Sequence, residues 1–112
     1  MSPSPATAVL AFPEEVHNAT LPGLEEQAVA ALGEAGDRLV VDLQRTTFLC
    51  SGGLGLLVKL GKRLHDRGGA LALARPKPPI AKLLRAVGLD ALLPSFPGIE
   101  AATTHVSRGR EG

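Results

Sequence analysis

Short apolar runs, separated by polar and glycine-rich segments, indicate where the strands lie. The clearest is Arg38–Leu43, which holds three consecutive apolar residues. A run without alternation is typical of a strand that is buried on both faces of a sheet. The same pattern predicts strands at Thr7–Phe12, at Ala70–Ala74 and, as an edge strand because it contains Pro94, at Leu92–Phe96. The apolar segment Phe48–Cys50 leads into a glycine-rich turn.

Apolar residues at spacings of three and four predict the helices. These are expected from about Pro22 to Gly33, from Leu54 to about Arg67, from near Pro79 to Gly88, and over Ile99–Val106. The inner face of the second helix is predicted to carry Leu54, Leu57, Val58, Gly61 and Leu64. Its other apolar residues, Leu56 and Leu60, are then either partly buried or part of an exposed apolar patch.

The order of these elements defines the fold class. Strands that alternate with helices indicate βαβ units, so we expect an α/β fold with a mixed, mostly parallel sheet of four to five strands and about four helices. A chain of 112 residues has the usual length of one domain. Residues 1–6 are predicted to be a disordered leader, residues 7–106 the domain, and residues 107–112 a disordered tail. The stretch Glu14–Thr20 is predicted to be a polar loop.

Composition and charge exclude several classes of partner. The 12 basic and 11 acidic residues give a net charge of +1 and form no blocks, so a basic footprint for nucleic acid is missing. Aromatic residues make up 3% of the chain, too few for stacking on nucleic-acid bases. The most apolar stretch is interrupted by Lys59 and is far shorter than the roughly 20 residues of a membrane span. We expect a cytoplasmic protein without membrane insertion.

The glycine-rich turn does not match an enzyme motif. Gly53-Leu54-Gly55 begins like a dinucleotide-binding fingerprint, but the third glycine position holds Val58. Ser51 is not part of a G-x-S-x-G elbow, because Leu49 occupies the first glycine position.

Histidine and cysteine add no catalytic or metal site. The three histidines, His17, His65 and His105, are far apart in the sequence, and Cys50 is the only cysteine. A single cysteine allows no intramolecular disulfide and no thiolate metal cluster. We therefore predict a protein without catalytic residues, metal or cofactor. The enzymatic alternative, a Ser51 or Cys50 nucleophile, lacks a histidine placed by sequence to act as its base.

Five stretches between Val40 and Phe96 carry a family resemblance: Val41–Leu43, Thr47–Leu57, Arg67–Leu71, Pro79–Leu84 and Val87–Asp90. In this order and at these gaps, over about half the chain, they resemble the STAS-domain anti-sigma factor antagonists. The resemblance implies four or five strands with helices packed on them. It also implies a function, which is to bind an anti-sigma factor, usually a kinase-like protein, and so to release a sigma factor for transcription.

The chain departs from this family at the regulatory turn. The family pattern is Asp-Ser-Ser-Gly or Asp-Ser-Thr-Gly, and the partner phosphorylates the second hydroxyl residue. Here Cys50 occupies the Asp position, Ser51 keeps the first hydroxyl, and Gly52 stands at the phosphoacceptor position. Because glycine carries no hydroxyl, we expect the usual phosphorylation control to be absent.

Ser51 and Cys50 each have two interpretations. Ser51 is expected to cap the helix that follows, in preference to accepting phosphate in place of Gly52. Cys50 is expected to be a small buried apolar residue. The alternative is a redox-sensitive thiol with a pKa lowered by the start of the helix.

The partner is expected to dock where the Glu14–Asn18 loop, the glycine turn and the exposed side of the following helix meet. Loops at the carboxyl ends of parallel strands lie side by side, which would bring these segments together. The predicted partner-binding residues are Glu15, His17, Ser51, Gly52, Gly53, Leu54 and Leu56.

Two alternatives for assembly stay open. The family usually has two strands before its first helix, and only about 21 residues precede it here, so an edge strand that is shortened or missing would favour a homodimer. The Gly52–Leu54 turn also resembles that of the cytosolic STAS subunit of phospholipid-trafficking ABC transporters, which binds an ATPase. That assembly is the second candidate function.

Overall fold

The computed structural model describes residues 7–33 and 36–108. Its strands are β1 (Thr7–Ala11), β2 (Glu15–Val16), β3 (Arg38–Asp42), β4 (Phe48–Leu49), β5 (Ala70–Ala74) and β6 (Ser95–Phe96). Its helices are α1 (Leu21–Leu32), α2 (Ser51–Asp66), α3 (Pro78–Ala86), α4 (Leu89–Leu92) and α5 (Ile99–Arg108), and a short 3-10 turn precedes α1. The predicted leader, residues 1–6, and residues 109–112 of the predicted tail lie outside the described residues.

The main sheet has four strands in the order β1-β3-β5-β6, and a second sheet consists of β2 and β4. All strand pairs among the described residues are parallel. The predicted α/β class with a mostly parallel sheet is therefore confirmed. The prediction that the strand with Pro94 lies at an edge is also confirmed, since β6 ends the sheet order.

Both faces of the main sheet are covered, which explains the unbroken apolar run of β3. Leu39 and Val41 face the larger core, which also contains the buried residues of α1, α2 and α3. Val40 faces the other side and packs with Ala102 and Val106 of α5. No helix in the described ranges is both long and apolar enough to cross a membrane.

Two local predictions are wrong. The polar loop predicted over Glu14–Thr20 contains β2, because Val16 is buried and pairs with Leu49 of β4 across a long sequence separation. The strand predicted over Leu92–Phe96 is limited to β6. Gly88 adopts a left-handed φ of 80° after α3, and α4 follows it directly, so Leu92 is helical.

The carboxyl ends of β3 and β5 are joined by a paired carboxylate and guanidinium. Arg75 donates from Nε to Asp42 Oδ1 at 3.2 Å and from Nη2 to Oδ2 at 2.7 Å, and the Gln44 backbone N–H donates to Oδ1 at 3.1 Å. The hydrogen bonds from Arg75, and then that from Gln44, hold the pKa of Asp42 below its usual value. Arg75 makes this contact from a positive φ of 55°, which is uncommon for a residue with a side chain.

Replacing Asp42 with Asn should lower the free energy of unfolding by about 1–2 kcal/mol at neutral pH, because the ion pair between Asp42 and the partly exposed Arg75 is lost. Because the folded-state pKa is depressed, the stabilisation is present above the unfolded-state pKa of about 3.9 and is lost as pH falls through the folded value. Urea unfolding at neutral and acidic pH measures the difference in the free energy of unfolding between the variant and the wild type.

The matched control is Asp66→Asn, since Asp66 is exposed and forms no ion pair among residues 7–33 and 36–108. The control should unfold like the wild type at both pH values. A difference between Asp42→Asn and wild type that persists undiminished in acid would contradict the proposed role of the ion pair.

Candidate functional site

The turn between β4 and α2 forms the centre of the candidate site. Cys50 is the last extended residue, and its carbonyl accepts hydrogen bonds from the N–H groups of Gly53 at 2.9 Å and Leu54 at 3.2 Å. Helix α2 therefore begins at Ser51, three residues before the predicted start at Leu54. The prediction that Ser51 caps this helix is wrong. Cys50 holds the capping position, but its side chain makes no hydrogen bond to the N–H groups of the helix, and Ser51 is an exposed residue of the first turn.

Gly53 is a packing residue and does not reach the surface. A Cβ atom placed on it would lie 2.7 Å from Leu49 Cδ1 and 3.0 Å from Val16 Cγ1. Both neighbours are buried, so neither can move away without disturbing the core. The predicted role of Gly53 in direct partner contact does not fit this burial.

Gly52 has a different environment from its neighbour. It is half-buried, and a Cβ atom there would lie 2.7 Å from Leu21 Cδ1 and 3.0 Å from Asn18 Oδ1. Asn18 is exposed and Leu21 only partly buried, so these side-chain ends have room to shift. Of the two glycines, Gly53 is thus buried and Gly52 borders the surface.

The small β2–β4 sheet presents the side chains of Glu15 and Phe48 beside this turn, and His17 follows β2 directly. Glu15 pairs in register with Phe48, so the side chains of Val16 and Leu49 point inward while Phe48 is 45% exposed. The ring of His17 lies 4.9 Å from that of Phe48 at a tilt of 33°, and its Nε2 lies 2.9 Å from Glu15 Oε1. These contacts hold an exposed aromatic ring in a defined orientation.

The loop and the turn also contact each other directly. The Cys50 thiol donates to Asn18 Oδ1 at 3.6 Å, and the Cys50 N–H donates to the Val16 carbonyl at 3.0 Å. Cys50 is half-buried and packs against the larger core, so the burial expected for it is only partial. Redox control of Cys50 stays a prediction.

We define the contact surface as Glu15, His17, Asn18, Phe48, Ser51 and Gly52. It contains four of the seven partner-binding residues predicted from the sequence. Leu54 is half-buried behind it. Leu56 does not belong to it, because this side chain is only 6% exposed and packs in the larger core.

The burial of Leu56 follows from the rotation of α2 about its axis. Gly53 packs on the β2–β4 sheet, and the residues on its side of the helix are the buried ones: Gly53, Leu56, Leu57, Leu60 and Leu64. The inner face is therefore shifted by one residue from the predicted stripe that started at Leu54. The structure shows that Leu56 and Leu60 are buried and do not form an exposed apolar patch.

Phe48 was not predicted as a site residue, and Asn18 was predicted only as the last residue of the docking loop Glu14–Asn18. Phe48 belongs to a short apolar run, and only its pairing with Glu15 shows that it faces outward. No signal in the sequence separates an outward from an inward apolar residue in a strand of two residues. The remaining histidines, His65 and His105, are distant from this surface and line a separate cavity of about 460 Å³.

The first turn of α2 contains no acidic residue, and Cys50 stands where the family pattern has Asp. The partial positive charge at the start of this helix is therefore not offset by a carboxylate within its own first turn. Among the described residues, no group of three or more His, Cys, Asp and Glu side chains is arranged to hold a metal ion.

Comparison with known proteins assigns the family. A family model described as "Mlab, STAS domain" matches residues 2–94. The chain belongs to the STAS domain family. This STAS domain is 29% identical over 87 residues to BtrV of Bordetella bronchiseptica, whose name describes it as an anti-sigma factor antagonist, and the match covers 78% of this chain and 75% of that protein.

Solved structures agree with this assignment. An anti-sigma factor antagonist from Mycobacterium paratuberculosis has a TM-score of 0.79 at 26% identity, covering 91% of this chain and 86% of that one. A Thermotoga maritima protein has a TM-score of 0.82 at 20% identity, covering 93% and 90%, which shows a shared fold. The resemblance of this STAS domain to anti-sigma factor antagonists is confirmed.

Replacing Gly53 with Ala should destabilise this STAS domain by about 1–3 kcal/mol, because the added methyl group overpacks the space between Val16 and Leu49. The control is Gly55→Ala in the same helix, where nothing lies within 4 Å of the new Cβ. That change should stabilise by about 0.5–1 kcal/mol through helix propensity. Thermal and urea unfolding measure both. Equal effects of the two substitutions would contradict the packing role of Gly53.

Proposed function

We propose that this STAS domain is an anti-sigma factor antagonist that binds an anti-sigma factor, a kinase-like protein, and so releases a sigma factor. A protein with this function would act in the cytoplasm, where sigma factors engage RNA polymerase. The observation that carries the proposal is the contact surface, where an exposed aromatic ring stands beside the turn that is regulatory in the resembling family. The similarity to BtrV over most of both chains supports it.

Phe48 is the expected anchor of the interface. The chain has three Phe residues and no Trp or Tyr, and Phe48 is the one that the structure leaves most exposed. Aromatic residues are enriched among the few interface residues that carry most of the binding energy. Because His17 holds the ring in place, little side-chain freedom would be lost on binding.

The exposed start of α2 would supply a second element of recognition. An uncapped helix N-terminus attracts negative charge, so a carboxylate of the partner would pair with the N–H groups near Ser51 and Gly52. The missing Asp at position 50 removes the side chain that would compete for this place.

Phosphorylation is not expected to break this complex in the usual way. Gly52 offers no hydroxyl at the acceptor position, so we propose that binding is constitutive with respect to that switch. Ser51 is the hydroxyl that remains in the turn, and it is exposed. A phosphate on Ser51 would add about −1.5 to −2 charges to the contact surface and is the alternative route of control.

Replacing Phe48 with Asp should weaken binding to the anti-sigma factor by about tenfold or more, because an apolar anchor becomes a charge that must be desolvated. Val87→Asp is the control, since Val87 is 50% exposed and lies at the end of α3. Affinity capture from the native cell extract, with partners identified by mass and affinities then measured on purified proteins, tests both variants. Equal capture by the wild type and both variants would contradict the contact surface.

Introducing the missing hydroxyl tests the switch itself. Gly52→Ser should become phosphorylated by the captured anti-sigma kinase and should then dissociate from it when ATP is added, whereas the wild type stays bound. The new side chain requires only small shifts of Leu21 and Asn18. Gly55→Ser, on an exposed position without close neighbours, should stay unmodified and bound. ATP-dependent release of the wild type would contradict constitutive binding and would favour phosphorylation of Ser51 as the route of control.

The second candidate function is that of a STAS subunit in an ABC-type phospholipid transporter. The description of the matching family model, together with the Gly52-Gly53 turn, favours this candidate. The same capture experiment separates the two. Enrichment of an ABC ATPase would support the transporter, and enrichment of a kinase-like anti-sigma factor would support the antagonist.

A further inference from the structure

The backbone of Leu71, in the first half of β5, lines the cavity of about 460 Å³ that also contains the two distant histidines. The N–H groups of Leu73 and Arg75 donate to the Pro94 and Phe96 carbonyls at 2.9 and 2.8 Å. Because alternate residues of a strand turn their backbone groups to the same side, the N–H and carbonyl of Leu71 also point toward this edge of the sheet. Leu71 is nevertheless only 4% exposed.

The chain does not continue β6 alongside Leu71. The register between β5 and β6 would make Leu92 and Pro94 its pairing residues. Pro94 has no N–H group, and Leu92 is the last residue of α4. Neither backbone group of Leu71 forms a hydrogen bond with residues 7–33 or 36–108. Buried backbone groups are nearly always paired in native proteins, so water or a ligand is expected to bind here.

The unpaired part of this edge is one residue long. On one side Leu73 is already bonded to Pro94, and on the other the Gly69 N–H donates to the Leu64 carbonyl at 2.8 Å. A strand added by another chain pairs through several residues. A free amino acid, with one amine donor and one carboxylate acceptor, matches a single residue such as Leu71.

The charged groups around the cavity do not suit a simple ion. Lys62 and Asp66 line it with opposite charges, one turn apart on α2, and neither forms an ion pair within the described part of the chain. His65 and His105 add imidazole nitrogens that can donate or accept. A simple anion would meet Asp66 and the Leu71 carbonyl, and a simple cation would meet Lys62. A zwitterion is complementary to both charges.

The remaining walls of the cavity are largely apolar. Leu71, Leu93 and Pro94 line it, and so does Leu92, which is 52% exposed. An apolar side chain placed against Leu92 would remove both surfaces from water. The volume lies within the range of small-molecule sites.

We propose that this cavity binds a free amino acid with an apolar side chain. The ammonium group of the amino acid donates to the Leu71 carbonyl, and its carboxylate accepts from the Leu71 N–H. Asp66 and Lys62 balance the two charges of the ligand. The cavity lies toward the carboxyl end of α2, whereas the contact surface lies at its amino end.

Amide chemical-shift titration of the isotope-labelled full chain with L-leucine tests the proposal. The Leu71 amide should shift most, with a Kd of about 1 mM, as expected for so small a ligand. Two matched probes separate the charges, since N-acetyl-L-leucine lacks the ammonium group and L-leucinamide lacks the carboxylate. Each should bind about threefold more weakly than L-leucine.

Four conservative variants locate the charges. Asp66→Asn and Lys62→Gln should each weaken L-leucine binding about threefold, and Asp66→Asn should not weaken the binding of N-acetyl-L-leucine. The matched controls are Asp90→Asn and Lys82→Gln, which change exposed residues of α4 and α3 that do not line the cavity. They should bind L-leucine like the wild type. All four positions are exposed, so the fold should be kept.

Three results would overturn the proposal. The first is a Leu71 amide that does not shift at about 10 mM L-leucine, which would mean that water alone satisfies the edge. The second is equal affinity for the three probes. The third is wild-type affinity for L-leucine in both Asp66→Asn and Lys62→Gln. None of these readouts involves the anti-sigma factor, so the proposal stands or fails independently of the proposed function.

Discussion

The close approach of the β2–β4 sheet to the first turn of α2 depends on the absence of a side chain at Gly53. Val16 and Leu49 fill the space that a Cβ would need. This contact sets the rotation of α2, so that Leu56 faces the core while Ser51 faces outward. It also determines which residues reach the surface, because Phe48 and Glu15 alternate with the two buried residues. Of the two neighbouring glycines, Gly53 thus serves the packing, while Gly52 borders the contact surface.

The rest of the fold holds the contact surface in a fixed position. The contact surface lies at the start of a helix whose inner face packs in the larger core. On the main sheet, Asp42 and Arg75 join the carboxyl ends of the two central strands. A binding surface on such a support changes little on docking, which reduces the entropy lost in the complex.

Elements with a strong local pattern were predictable from the sequence, and elements that depend on long-range pairing were not. The runs at β3 and β5 and the stripes of α1 and α3 carry their own periodicity. Strand β2 has two residues in a polar segment, and it exists because Val16 and Leu49 meet from distant parts of the chain. The start of α2 was missed for a related reason, since the glycines after Ser51 suggest a turn by composition although they fit a first helical turn.

The contact surface was only partly predictable for the same reason. Ser51 and Gly52 were expected from the resemblance to the family's regulatory turn. Glu15 and His17 were expected because loops at the carboxyl ends of parallel strands lie side by side. Phe48 was not, because its exposure is a consequence of strand register. Leu56 was assigned to the surface because the predicted inner face of α2 was shifted by one residue from the observed one.

The most direct test is amide chemical-shift mapping of the isotope-labelled chain with its purified anti-sigma factor. The account predicts the largest shift changes at His17, Phe48, Ser51 and Gly52, where the ring of Phe48 and the start of α2 would meet the partner. Changes confined to the far side of the molecule, around Val87 and α5, with none at these residues, would contradict it.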